Sequence, residues 1–131
     1  MVETITIKGV DVDRIEKDDS FSKAYAFYVQ LSATPDPIWI ELFMSLYEST
    51  FQELKREMTI RGNQIRVVTA PGEEENHITF LRGLVEETNK EVDEYNKVQA
   101  RREELGRRME LQKDAEAQQI RERLKKILSH G

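Results

Sequence analysis

The groups able to do chemistry in this sequence are few. His77 follows Glu74 by three residues, the carboxylate–imidazole spacing used by helical di-metal centres. Such a centre needs a second copy of the motif and two further inward-facing glutamates. Here the motif stands alone at a helix start, where glutamate is favoured by the helix dipole in any case. The other histidine, His130, lies next to the end of the sequence. Asp11 and Asp13 share a strand face, and Asp18 and Asp19 follow in a charged stretch. Paired carboxylates can hold a divalent cation or divide acid and base roles. No histidine or phosphate-cradling glycine loop stands beside these four, so a solvated strand end is the expected reading.

The chain contains no cysteine, which removes disulfides, thiolate chemistry and cysteine-based zinc sites together. No G-x-S-x-G elbow, Walker loop, dinucleotide glycine signature or H-E-x-x-H is present. The expectation is a protein without catalytic, cofactor-binding or metal-binding residues. A basic sheet face is the remaining candidate of this kind. Lys8, Tyr28, Arg61 and Arg66 would share it with Thr59, and cations around an aromatic can neutralise and stack single-stranded nucleic acid.

Those residues are positioned by elements legible in the pattern. "ETITIKGVDVDRI" alternates Ile5 and Ile7 against Thr4, Thr6 and Lys8, and after Gly9 the apolar parity moves to Val10 and Val12. A one-residue slip beside glycine is the signature of a bulge. The charged "EKDDS" reads as a loop. "KAYAFYVQLSA" alternates Tyr25, Phe27, Val29 and Leu31 with smaller or polar residues, as a half-buried strand does. Asp36 and Pro37 then supply helix-entry chemistry. Ile38, Leu42, Leu46 and Leu54 keep helical spacing, with Trp39, Phe43, Tyr47 and Phe51 beside them.

In "MTIRGNQIRVV" the Gly62-Asn63 pair suits a two-residue turn. That turn pairs Arg61 with Gln64, Ile60 with Ile65, Thr59 with Arg66 and Met58 with Val67, apolar meeting apolar throughout. Pro71 and Gly72 precede a last helix whose Ile78, Leu81, Leu84, Val85, Thr88, Val92 and Tyr95 form a stripe wide enough to cover a sheet. The order is β-β-α-β-β-α. It predicts an α+β fold, ββαββα, with a four-stranded, mainly antiparallel sheet, helices on one face and a long charged C-terminal helix.

The domain reading is a compact α+β body over residues 1–96 and a helical extension over 97–131. Through Gln99 there are 11 Lys/Arg against 19 Asp/Glu, a balance of −8; from Ala100 onward there are 9 against 6, a balance of +3. An acidic body argues against wrapping a nucleic-acid backbone, which needs a cationic surface. The opening "MVETITIKGVDV" has an early carboxylate and no apolar run, unlike a secretory signal, and no stretch is apolar enough to span a bilayer. A cytoplasmic protein is expected.

The extension has almost nothing to bury. One helix over residues 75–128 would be roughly 80 Å long, against about 25–30 Å for a body of this size. Glu103 with Arg107 and Glu104 with Arg108 support it at i,i+4 spacing. Val98, Leu105 and Met109 keep 7- and 4-residue intervals; Ala117, Ile120, Leu124 and Ile127 keep 3-4-3. These are coiled-coil-like seams interrupted by Gln112, Lys113 and Glu116. The helix projects and pairs, or Gly106 ends it and residues 107–128 fold back as a separate helix, or the tail frays. The leading functional expectation is a non-enzymatic interaction or assembly module, pairing with a second copy or another protein through Val98, Leu105, Met109, Ile120, Leu124 and Ile127. A nucleic-acid-associated accessory protein, using the basic sheet face or the Arg101-Arg102 and Arg107-Arg108 pairs, is the first alternative. A small-ligand-binding α+β domain is the second.

Overall fold

The structure, a computed structural model, describes residues 1–50 and 57–130. Phe51 and Leu54, assigned above to the first helix, lie outside the described residues. The chain divides into two units, Met1–Glu94 and Tyr95–Gly131.

The first unit is an α+β body. Among the described residues, β1 (Ile7–Val10), β2 (Glu16–Lys17), β3 (Tyr25–Leu31), β4 (Met58–Arg61) and β5 (Gln64–Thr69) form one antiparallel sheet. Its order is β1-β3-β5-β4, and β2 also pairs with β3. The fold class is therefore as expected, with one strand more than the four read from the pattern. The addition is Glu16–Lys17, inside the stretch read as a loop. It pairs with Ala26 and Tyr25, while β1 pairs with the other end of the same strand. Two charged residues carry no strand periodicity; their pairing depends on a free stretch of β3 edge.

The bulge beside Gly9 is present, as a register shift between Ile7 and Gly9. It turns Val10 toward the same face as its partner Val29. Strand structure stops at Val10, however, and Val12 lies in a turn rather than continuing the alternation. The Gly62-Asn63 hairpin forms in the expected register, from Arg61 opposite Gln64 to Met58 opposite Val67. Gly62 adopts φ +59°, which an L side chain resists.

Phe27, Val29, Leu31, Ile65, Val67 and Met58 are buried on the helix side of the sheet. α1 (Pro37–Ser49) begins as expected: the Asp36 carboxylate accepts from Ile38 N at 2.8 Å, and Pro37 occupies the first turn. Its buried line is the aromatic one, Trp39, Phe43 and Tyr47, while Ile38, Leu42 and Leu46 are half-buried. Trp39 and Phe43 stack with ring centroids 5.2 Å apart, and Tyr47 meets Phe80 across the two helices at 6.3 Å.

The last helix, α2, runs unbroken from Glu74 to His130, 57 residues, through Gly106. The helix therefore does not end at Gly106 and fold back. Its N-terminal turns bury His77, Leu81, Leu84, Val85, Thr88 and Val92. Asn89 ties three segments together: its Oδ1 accepts from Ile5 N at 3.0 Å and Trp39 Nε1 at 2.9 Å, and its Nδ2 donates to Ile5 O at 2.7 Å.

Candidate functional site

The sheet face away from the helices is not the open basic surface the sequence suggests. Lys8 and Arg61 are exposed, but Tyr28 is fully buried. The Arg14 guanidinium covers its ring, 3.9 Å from the centroid. Its hydroxyl donates to Glu16 Oε2 at 3.1 Å. Arg66 is tied down as well, donating to Asp18 Oδ1 at 2.9 Å and lying 3.5 Å from Glu16 Oε2. Two guanidinium groups and two carboxylates thus close a neutral network over the middle of the face, and neighbouring Ala26 and Val68 are buried too.

This network explains the perturbed acids of the region. Asp18 accepts from the Ser20 hydroxyl and backbone amide, and the Arg66 guanidinium adds to these; together they hold its carboxyl down to about 2. Burial works to raise Glu16, but bonds from Tyr28, Arg14 and Arg66 prevail and its pKa is lowered. Burial likewise opposes the charge on Arg66, yet Asp18, Tyr28 and Glu16 raise its pKa overall. Acids held ionised by saturated hydrogen bonds are poor proton donors near neutral pH. The network is structural chemistry.

Among the other candidate groups, Asp11, Glu74 and His77 have local partners. Asp11 Oδ1 accepts from Asp13 N at 3.2 Å, a turn contact rather than an open carboxylate pair. Glu74 does not meet His77; both its carboxylate oxygens accept from Gly72 N, at 3.0 and 3.1 Å. His77 is buried, with Nε2 3.3 Å from Glu73 Oε2, one helical turn back. Among the described residues no group of three or more histidine or acidic side chains is placed to hold a metal ion. Also among them, no helix is long and apolar enough to cross a membrane.

Among the described residues two apolar surfaces remain, one in each unit. The first is a groove of about 520 Å³, bordered by Val10, Val12 and Ile15 of the edge, Tyr25 and Phe27 of β3, and Pro71 and Ile78 at the entry to α2. Val12 is 76% exposed and Ile15 58%. The sequence gives little sign of this groove. Val12 reads as the next strand residue and Ile15 as the end of the same stretch, before the charged loop; only the sheet edge brings them opposite Ile78. Its polar side chains are Tyr25, Thr69 and Glu74.

The second surface is the stripe along the tail of α2. Val98, Leu105, Met109, Ile120, Leu124 and Ile127 are all in the helix, and none is covered: their exposure runs from 39% at Val98 to 66% at Ile127. From Ala100 to His130 every residue is exposed except Ala117, which is half-buried. Glu104 accepts from Arg108 at 3.1 Å, the expected i,i+4 pair, and from Arg107 at 2.7 Å, so Arg107 turns to Glu104 rather than to Glu103. Exposed pairs of this kind contribute a few tenths of a kcal/mol each, about 0.3–0.5. Comparison with protein-family models, with curated proteins and with solved structures finds no match to this chain.

Proposed function

We propose that the protein is a non-enzymatic association module whose α2 tail pairs with a second copy of the chain or with a helix of another protein. The observation that supports it is the exposed stripe. Large apolar side chains recur at helical spacing through a helix that buries no residue beyond Gln99. Most helical stability in proteins comes from packing an amphipathic face, and charge pairs of the size above do not replace it. Burying an aliphatic side chain contributes about 1.5–3 kcal/mol. Burying six such residues of the tail therefore suffices, as an order of magnitude, to offset an association cost of about 4–15 kcal/mol.

The nucleic-acid alternative draws less support from the geometry. Arg66 and Tyr28 are engaged within the body, and Arg107 and Arg108 both bond Glu104. Light scattering coupled to size exclusion tests the proposal on the full chain. The expected result is a mass above 15.4 kDa that falls to monomer when Leu105→Asp and Leu124→Asp are combined. A wild-type monomer that also captures no helical partner would end the reading.

A further inference from the structure

The two halves of the tail stripe differ, and the groove of the body matches one of them. Gln112, Lys113 and Glu116 divide the stripe. Residues 98–111 carry four arginines and three glutamates, a balance of +1; residues 117–128 carry Arg121, Arg123, Lys125 and Lys126 against Glu122, a balance of +3. Within the second half, Ile120, Leu124, Ile127 and Leu128 fall on one helical face at i, i+4, i+7 and i+8, the spacing of side chains that anchor a helix in an apolar groove. All four are exposed.

The groove has the complementary character. Its walls are apolar and its volume lies within the range of functional clefts, roughly 300–1,000 Å³. Glu74 lines the groove near Pro71; Asp11 and Asp13 stand beside Val12 in the chain, and Glu75 follows Glu74, so the segments that form the groove are acidic. Two cations stand beside these segments: Lys17, which pairs with Tyr25, and Arg14, next to Ile15, whose guanidinium bonds Glu16 and covers Tyr28. We propose that this groove receives the segment Ile120–Leu128 of a second copy of the chain. Leu124 and Ile127 enter between Val12, Ile15 and Ile78, while the four cations of the segment lie along the acidic rim. The proposal rests on the reading of the tail as an association element. It adds a receptor site for the far half, and leaves Val98, Leu105 and Met109 to pair helix on helix.

Because the chain has no cysteine, single cysteines report contacts without background. Full-length Val12→Cys and Ile127→Cys variants are mixed, oxidised mildly and separated by mass. The expected product is a disulfide joining residues 12 and 127, at least about tenfold over the product from Val12→Cys mixed with Lys113→Cys. Placing Ile15→Asp, an exposed site, in the Val12→Cys variant should remove that excess, and raised salt should reduce it. A 12–127 product no more abundant than the Lys113 control overturns the proposal, as does one indifferent to Ile15→Asp. A Leu105→Cys variant separates the two readings. If it links to itself while 12–127 linkage fails, tail pairing stands and the groove assignment falls. If neither links, both fall.

Discussion

Replacing Asn89 with alanine should destabilise the protein by about 3–5 kcal/mol, more than its half-buried position suggests. The side chain makes three hydrogen bonds of 2.7–3.0 Å, two as acceptor and one as donor. Its partners are the backbone N–H and C=O of Ile5 and the indole N–H of Trp39, and both residues are fully buried. Alanine leaves two donors and one acceptor without a partner, and an orphaned buried polar group costs about 1–3 kcal/mol. Water reaching the half-exposed side of Asn89 can replace part of this, which favours the lower half of the summed range. Urea unfolding followed by Trp39 fluorescence measures it. With a slope near 2 kcal/mol/M, within the usual ~1–3, the midpoint should fall by roughly 1.5–2.5 M.

Asn89→Asp is the informative companion. A carboxylate still accepts from Ile5 N and Trp39 Nε1 but opposes the Ile5 carbonyl. Its protonated form can donate to that carbonyl, so folding raises the pKa of the introduced acid. The variant should then gain stability relative to wild type as pH falls through its titration. A loss below about 1 kcal/mol for the alanine variant would refute the reasoning, because it would mean that Ile5 and Trp39 find other partners at no cost.

Three further outcomes are expected. Asp18 titrates from its depressed value of about 2; its stabilising contribution is complete above the ordinary 3.8 and lost as pH falls toward 2, so Asp18→Asn should flatten that part of an acid-unfolding curve. Gly106→Ala should stabilise α2 by about 1 kcal/mol, read as a raised melting temperature by circular dichroism at 222 nm. Gly106 lies within the continuous helix and a Cβ there meets nothing within 4 Å; destabilisation would show that the helix breaks at this residue. Gly62→Ala should cost about 1–2 kcal/mol, measured by urea unfolding, because φ there is +59°; an unchanged midpoint would mean that the turn tolerates another conformation.

Local chemistry alone determined much of this protein. The Asp36-Pro37 helix start, the slip beside Gly9 and the Gly62-Asn63 hairpin with its full register each rest on residues close in sequence, where a cap, a bulge or a turn leaves few backbone choices. The stripe at Val98, Leu105 and Met109 was legible for the same reason, since helical spacing depends on neighbours a few residues apart. Tertiary structure decided where edges and faces meet. Glu16 and Lys17 became a strand because β3 had an unpaired edge beyond β1. Arg66 joined Asp18, 48 residues away, which turned two apparently free charges into a neutral clasp over Tyr28. Val12, Ile15 and Ile78 became one groove across more than 60 positions of sequence. Periodicity reports which side of an element is apolar; what that side touches, and whether anything covers it, is set by contacts distant in the chain.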